Sequence, residues 1–338
     1  MEQRRNQVPS ASAARRSAEP AATAPHGGAL TGRKSAGEQR VLALFPGALG
    51  DLLCCWPALA GWHRMADTAL TLAAHEAWFD ALPDDILAPL SIDRREVADL
   101  FGSAPLHDST RALFARFARI ESWTGHGDEH FVRRLTDASD AAVAVHPFRA
   151  LRAGEHASDY YARCLGVAAC LDRLPVRRAA AEWATAFWDR HRLRRDVLVI
   201  HPGSGSARKN WAGMSEVASR WRRAGGAVIV VSGPAEGDRA AAVTGDVSVR
   251  CEPLDRVAAL LARATRYLGN DSGVSHLAGL LGVRGVSVFG PSDPVAWRPL
   301  GDGIRVLHAP QTCARCGADR LCVHRMPVDE VFEALRAI

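Results

Sequence analysis

The feature that most constrains the fold is a repeated alternation of short apolar runs with longer segments of helical spacing. The apolar runs occupy residues 40–45, 69–73, 141–145, 197–200, 227–231, 266–268 and 285–289. Runs of this length, bounded by polar residues, Gly or Pro, are typical of strands buried on both faces. Strands that alternate with helices predict βαβ units and parallel sheets. Because the series restarts near residue 196, we expect an α/β chain with two doubly wound, Rossmann-like domains that face a cleft.

Shifts in composition suggest the domain boundaries. Residues 1–39 are rich in Ala, Ser, Pro, Gly and Arg without apolar periodicity, and we expect a disordered N-terminal tail there. The first predicted domain covers 40–175 and the second 196–325, joined by a polar, Arg-rich helix or linker at 176–195. Residues 326–338 predict a terminal helix, which could pack on its own domain, back across the cleft, or both.

Charge and cysteine usage exclude several classes of protein. The net charge of +5 over 338 residues is not concentrated in one folded block, whereas a nucleic-acid surface needs clustered Lys and Arg. The eight cysteines are irregularly spaced in a chain too large to need disulfides, and no signal-peptide core is visible. We therefore expect a cytoplasmic protein with reduced thiols and no nucleic-acid partner.

A single charged residue, Asp51, lies within the apolar segment 41–62. A transmembrane helix is disfavoured, because a proline and two glycines precede Asp51 and a carboxylate at mid-bilayer costs about 2.5–3.5 kcal/mol. Two explanations remain open, a helix N-cap that contributes about 1 kcal/mol and a catalytic base. The flanking loop with Gly47, Ala48 and Gly50 would let a ligand approach closely, which favours the base.

A turn rich in Gly and Ser follows the first strand of the second predicted domain. It carries Gly203, Ser204 and Gly205, then Lys209, and a helix predicted to begin near Gly213. Backbone N–H groups and hydroxyl groups of such a turn can surround a phosphate, and a lysine can compensate its charge. Only two lysines occur in the whole Arg-rich chain. An ordinary β–α turn is the alternative.

A second polar block follows a later predicted strand. Asp271, Ser272 and Gly273 open a helix that carries His276, and small residues at a helix N-terminus can bind an anion. Asp271 could be only a cap, but the carboxylate, hydroxyl and imidazole together favour a binding site. Glu236 also follows a strand, where a carboxylate can bind ribose hydroxyl groups. An ordinary surface glutamate at the start of a helix is an equally good explanation.

Three blocks of the sequence resemble glycosyltransferase family 9, the ADP-heptose:lipopolysaccharide heptosyltransferases and their relatives. The blocks are PGALGDLL, HPGSG followed by KNW, and GNDSGVSHLAGLLGV followed by VFGPSDP. The resemblance covers about residues 40–338 and implies a glycosyltransferase B fold, with the acceptor in the first domain and an ADP-sugar in the second. It also implies inverting transfer, most commonly of heptose, to a lipopolysaccharide-core or other cell-surface glycan, without a metal or other required cofactor.

The resemblance implies roles for individual residues. Asp51 matches the proposed general base, Lys209 the lysine that holds the diphosphate, Glu236 the ribose-binding acid, and 271–276 the donor-site block. The first loop departs from the family pattern, and Cys54 stands where the family often has a histidine. Because these positions face the acceptor, the identity of the acceptor stays open.

A cluster of metal-binding residue types lies near the C-terminus. Three thiolates and an imidazole could hold zinc or iron, namely Cys313, Cys316, Cys322 and His324. The spacing does not fit a standard zinc finger. Reduced structural thiols are the preferred interpretation, and we predict a site without metal.

Other partners and functions remain possible at this stage. A lipid-linked acceptor would bring the enzyme to the inner membrane, and basic side chains of the first domain could help it dock there, although solvated helix faces explain them equally well: Arg111, Arg116, Arg119, Arg133 and Arg134. A nucleotide-sugar epimerase would need an acid/base pair around the sugar ring, whereas the N-terminal half offers one well-placed carboxylate. A catalytically silent nucleotide-sugar-binding protein is the other alternative.

Overall fold

The computed structural model describes residues 40–66, 69–84, 87–194, 196–234, 243–309, 312–313 and 317–338. The strands among them are β1 (Arg40–Leu44), β2 (Ala69–Ala74), β3 (Leu87–Ser91), β4 (Arg119–Ser122), β5 (Ala142–Val145), β6 (Val197–His201), β7 (Ala227–Ser232), β8 (Val247–Arg250), β9 (Arg266–Asn270), β10 (Gly285–Phe289), β11 (Ile304–His308), β12 (Thr312–Cys313) and β13 (Gly317–Leu321). The helices are α1 (Leu49–Ala66), α2 (Arg95–Ala98), α3 (Asp108–Phe114), α4 (Glu129–Asp137), α5 (Ala157–Leu165), α6 (Arg178–Arg190), α7 (Met214–Arg223), α8 (Leu254–Arg263), α9 (Gly273–Leu280), α10 (Pro294–Trp297) and α11 (Val328–Ala337).

Two parallel sheets organise the described chain. The first has the order β3-β2-β1-β4-β5 and the second the order β11-β10-β9-β6-β7-β8. A small antiparallel pair, β12–β13, lies apart from them. The predicted α/β class with two doubly wound sheets is therefore confirmed. Below, residues 40–165 are the first half and residues 197–338 the second half.

The strand order determines where a ligand can bind. The direction of winding reverses between β1 and β4 in the first sheet and between β6 and β9 in the second. In open parallel sheets, ligands bind outside the carboxyl ends of the strands at such a reversal. The sequence places Asp51 after β1, Lys209 after β6 and Asp271 after β9, so all three follow strands at a reversal point.

Helix α1 joins the cores of the two halves. The described residues from 40 to 338 form one compact unit, and α1 packs on α5 of the first half and on α9 of the second. At the second contact, Leu49 lies against Gly273, where an added Cβ would be 2.9 Å from the Cβ of Leu49. The two helices can approach this closely only because position 273 has no side chain.

We expect Gly273→Ala to lower the free energy of unfolding by about 1–3 kcal/mol, the usual cost of forcing an extra methyl group into a packed contact. Gly205→Ala is the matched control, because an added Cβ there would meet no atom within 4 Å. Urea unfolding of both variants measures the difference. Equal stabilities would mean that α1 and α9 can separate without cost.

The terminal helix α11 packs on its own half. Val331, Ala334 and Leu335 are buried in a core that α11 shares with α7 and β10, and the Arg266 guanidinium donates to the Leu335 carbonyl. Of the positions left open by the sequence, the structure therefore shows packing on the second half. The linker region 176–195 contains α6, which packs on α8.

Two of the five arginines suggested for membrane docking have partners within the protein. Within the described ranges, no helix combines the length and apolar character needed to cross a bilayer. Arg134 is 8% exposed and donates to the carbonyls of Asp99 and Ala104, and Arg119 pairs with Glu121. Arg134 is thus a structural residue of the first half, and its predicted use in docking is wrong.

Candidate active site

A cleft of about 820 Å³ lies where β1, β6 and β9 end. Residues from both halves line it. Most of the predicted site residues are among them, namely Ala48, Gly50, Asp51, Gly205, Lys209, Asp271, Ser272, Gly273 and His276. The topology therefore brings together residues that are separated by up to 228 positions in the sequence (48 to 276).

Asp51 lies in the first turn of α1 and is not its cap. The helix begins at Leu49, and the Leu52 amide donates to the Ala48 carbonyl, so Asp51 is the third helical residue. The N-cap explanation is therefore wrong. The carboxylate is 5% exposed and lies at the edge of the cleft. Near a helix N-terminus a carboxylate is stabilised by the helix dipole.

Arg149 binds both oxygens of the Asp51 carboxylate. Its Nε donates to Oδ1 at 3.0 Å and its Nη2 to Oδ2 at 2.7 Å. The guanidinium lies 4.9 Å from the ring centroid of Phe148 and 5.3 Å from that of Trp297, which ends α10 in the second half. A bidentate pair of this kind fixes a carboxylate in both position and orientation. Arg149 thus holds the candidate base and contacts the opposite side of the cleft.

Lys209 and Asp271 form the second ion pair of the cleft. Lys209 Nζ donates to Asp271 Oδ2 at 2.6 Å, and the Asp271 side chain is 7% exposed. The N-cap of α9 is Ser272, which accepts from the Ser275 amide. Because capping is done by Ser272, the suggestion that Asp271 is only a cap is wrong. Asp271 orients Lys209 instead.

The Gly/Ser turn contributes only part of itself to the cleft. Gly205 and Ser206 line it, whereas Gly203 and Ser204 do not. The Ser204 hydroxyl lies 2.7 Å from the Ser206 carbonyl and 2.6 Å from Asn210 Oδ1, and it donates within the turn. The prediction that this hydroxyl wraps a phosphate is therefore not supported by its position. It holds the turn in shape.

Asn270, which the sequence patterns did not single out, stabilises the same turn through its side-chain amide. It is fully buried, its Oδ1 accepts from the Trp211 amide at 3.0 Å, and its Nδ2 donates to the Pro202 carbonyl at 2.8 Å. Asn270 therefore fixes the start and the end of the turn to β9. Its only signal in the sequence was its place beside Asp271.

His276 projects from α9 towards α1. It is 4% exposed, and an added Cβ at Gly50 would lie 3.2 Å from its Cδ2. Burial lowers the pKa of His276 to about 4, an effect opposed by Asp271 and Asp51 and assisted by His156 and Lys209. The imidazole is therefore neutral at physiological pH and can donate only one hydrogen bond.

The family assignment rests on the sequence match that accompanies this geometry. The model of glycosyltransferase family 9 (heptosyltransferase) matches residues 112–323. The chain belongs to glycosyltransferase family 9. It is accordingly a glycosyltransferase, and the cleft between its two sheets is the candidate active site. No curated protein matches the sequence.

Solved structures of similar fold support the architecture of this family 9 protein. The glycosyl transferase family 9 protein from Veillonella parvula DSM 2008 is 19% identical with a TM-score of 0.74, over 88% of this chain and 96% of that one. E. coli ADP-heptose lipopolysaccharide heptosyltransferase II is 18% identical with a TM-score of 0.64, over 88% and 98%. E. coli heptosyltransferase WaaC with ADP is 20% identical with a TM-score of 0.60, over 88% and 99%. At these identities the likeness establishes the fold, a glycosyltransferase B arrangement.

Gly47 has a packing role in this family 9 chain. It is buried, and an added Cβ would collide with the Phe45 ring and approach Phe148. Its carbonyl accepts from Trp78 Nε1 at 3.2 Å. Gly47 therefore makes room for the Phe45 ring and for the Asp51 Cβ, which an added Cβ would approach to 2.9 Å. Ala48 and Gly50 line the cleft, and ligand contact at Gly47 remains a prediction.

Several predicted residues are not brought to the cleft. Glu236 lies outside the described residues, and so do the side chains of Cys313 and Cys316. Cys322 is buried, whereas His324 is exposed. The ribose-binding role of Glu236 and the preference for reduced C-terminal thiols remain predictions.

The low pKa of His276 predicts a pH dependence of stability. With a pKa of about 4 in the folded protein and about 6.5 in the unfolded chain, His276 binds fewer protons when the chain is folded. Stability is therefore lost as the pH falls from about 6.5 towards 4. We expect His276→Gln to reduce the fall in Tm between pH 7 and pH 5. His126→Gln, at an exposed site, is the control, and equal slopes in all three proteins would contradict the prediction.

Proposed function

We propose that this family 9 protein is an inverting heptosyltransferase that moves heptose from ADP-heptose to a lipopolysaccharide-core or other cell-surface glycan acceptor. The observation that carries the proposal is the juxtaposition across one cleft of Asp51, from the first half, with Lys209, Asp271 and the N-terminus of α9, from the second. One side offers a general base and the other an anion site. The chemistry of transfer from a nucleotide sugar needs both.

The donor diphosphate would bind at the second half. The backbone N–H groups at the N-terminus of α9 and those of Gly205 and Ser206 border the cleft there, and helix N-termini favour anions. Lys209 would move from its pair with Asp271 to the phosphates, or bridge both. The leaving ADP gains negative charge as its bond to the sugar breaks, and this cationic, preorganised environment stabilises that charge. These groups would supply the compensation that other glycosyltransferases obtain from a metal ion.

The acceptor would approach from the first half. In a single displacement, the acceptor hydroxyl oxygen attacks the anomeric carbon while the bond from that carbon to the ADP oxygen breaks. Asp51 takes the hydroxyl proton, and the anomeric configuration inverts. A positioned general base of this kind contributes typically about 10²–10⁴-fold to the rate. The bidentate contact with Arg149 would keep the carboxylate aimed during the step.

Two proteins of similar structure support the proposed donor. One is an ADP-heptose lipopolysaccharide heptosyltransferase, and the other is a heptosyltransferase with ADP. An acceptor linked to lipid would place the enzyme in the cytoplasm at the inner membrane, in peripheral contact. No nucleic-acid partner is proposed.

A donor and product assay tests the proposal. The purified protein is incubated with ADP-heptose, UDP-glucose or GDP-mannose and a core oligosaccharide that lacks heptose, and the products are followed by mass spectrometry. We expect a heptose-extended oligosaccharide from ADP-heptose alone. Release of the nucleotide without glycan extension, or isomerisation of the sugar without any acceptor, would instead favour a hydrolase or the epimerase alternative.

A further inference from the structure

Helices α1 and α9 meet across the two halves through two glycines and one polar contact. Gly50 and Gly273 bring the backbones together, and about one turn further along each helix Cys54 faces His276. The Cys54 Sγ lies 3.5 Å from His276 Nδ1. Both side chains are buried, with 0% and 4% exposure. Water cannot reach this contact to replace a hydrogen bond there. A hydrogen bond between the two side chains therefore influences where each of them carries its proton.

The thiol keeps its proton and can therefore donate it. Burial, together with Asp51 and Asp271, raises the pKa of the Cys54 thiol well above its usual range. A neutral imidazole carries one proton, on Nδ1 or on Nε2. The thiol can donate to Nδ1 only when the imidazole proton is on Nε2. The opposite arrangement, in which Nδ1–H donates to the thiol sulfur, uses a weak acceptor. Because the imidazole nitrogen is the better acceptor, the contact favours the Nε2–H tautomer of His276.

The groups on the cleft side of His276 favour the same tautomer. Asp271 and Asp51 act on the imidazole as negative charges, and Lys209 and His156 act in the opposite direction. The charge of Lys209 is largely offset by its contact with Asp271 at 2.6 Å. Asp51 and Asp271 line the same cleft as His276. In a cleft with two carboxylates and an incoming diphosphate, an N–H is more favourable than a lone pair.

We propose that Cys54 is a positioning residue whose thiol fixes His276 as the Nε2–H tautomer and so directs a neutral N–H donor into the cleft. The inference rests on the proposed function for the identity of the ligand, which is the diphosphate of a nucleotide sugar. A preorganised neutral donor stabilises charge on the leaving phosphate without supplying a second cation.

The tautomer can be measured without any ligand. The full-length protein is labelled with ¹⁵N-histidine, and long-range ¹H–¹⁵N correlation spectra, assigned with His276→Gln, identify the protonated ring nitrogen. We expect Nε2–H in the wild type and in Cys54→Ser, whose hydroxyl can also donate, and a mixture of both tautomers in Cys54→Ala. Cys55→Ala is the matched control, because Cys55 is equally buried and has no hydrogen bond to His276 in the structure. A proton on Nδ1 in the wild type, or an unchanged tautomer in Cys54→Ala, would overturn the inference.

Binding of ADP then tests the consequence for the ligand. If only the Nε2–H tautomer binds well, Cys54→Ala raises the Kd of ADP by about two- to tenfold, in proportion to the fraction of molecules that lose this tautomer. Cys54→Ser and Cys55→Ala leave the Kd unchanged. The mutation has no further effect in a His276→Gln background, where the amide supplies a donor near the Nε2 position. A failure of the wild type to bind ADP would contradict the proposed function, whereas the tautomer spectra would still decide the role of Cys54.

Discussion

Replacing Asp51 by Asn is expected to lower kcat for glycosyl transfer by about 10²–10⁴-fold, because an amide cannot accept the proton of the attacking hydroxyl. The amide has nearly the same shape, so it should leave the phosphate site in the second half intact. The Kd of ADP should therefore change by less than about threefold. Initial rates with saturating donor, together with calorimetric titration of ADP, measure the two quantities.

The control for this experiment is a second Asp→Asn substitution outside the cleft. Asp128 caps α4, where its carboxylate accepts from the His130 and Phe131 amides, and Asn is an equally good cap. Asp128→Asn should therefore retain both activity and ADP binding. If Asp51→Asn transferred sugar at a rate within a few fold of the wild type, Asp51 would not be the base, and its pair with Arg149 would have only a structural role.

Replacing Lys209 by Ala should have the second large effect, on binding of the donor. A hydrogen bond to a charged group contributes about 1.5–3 kcal/mol, which corresponds to a loss of about 10- to 150-fold in the affinity for ADP. The truncation also leaves Asp271, 6% exposed, without its partner and next to the phosphates. Both changes weaken binding, and calorimetry with ADP measures their sum.

A double variant separates the two causes. Lys209→Ala combined with Asp271→Asn removes the uncompensated carboxylate, and we expect it to bind ADP more tightly than Lys209→Ala alone. The difference between the two constants reports the repulsion by Asp271. Unchanged affinity in Lys209→Ala would place the diphosphate elsewhere. Equal affinity of the single and double variants would mean that Asp271 does not face the phosphates.

Much of the fold could be predicted from the sequence because the central strands are apolar on both faces. In β6, β7 and β10 every residue is buried, and such runs are visible without knowledge of their neighbours. The predictions missed β4, which is central but contains Arg119 and Glu121. Glu121 is 1% exposed and is paired with Arg119 and with His146, 25 residues away. No local pattern reveals a partner at that distance.

The edge strands β3 and β8 were missed for a different reason. In β3 most residues are at least partly exposed, and Pro89 interrupts the sequence, a combination that is tolerated only at the edge of a sheet. In β8 only Val249 is buried. These strands are stabilised by pairing with an inner neighbour, and their own composition resembles that of loops.

Residues of the candidate site could be predicted where they directly follow a strand. They could not be predicted where their place in the site depends on contacts between distant segments of the chain. Asp51, Lys209 and Asp271 were found because polar residues after apolar runs stand out. Arg149 was not, since its contact with Asp51 joins residues 98 positions apart. The predicted contact of the Ser204 hydroxyl with the ligand remains a prediction, and its bonds within the turn compete with that role.

The most direct test of the proposed function is the anomeric configuration of the product. The protein is mixed with ADP-heptose and a heptose-free core oligosaccharide, and the new linkage is determined by NMR spectroscopy in a single-turnover reaction. Direct displacement with Asp51 as base and Lys209 at the leaving diphosphate predicts one heptose added per ADP released, with a configuration opposite to that of the donor. A retained configuration, or release of ADP without a glycosidic product, would contradict the proposed function.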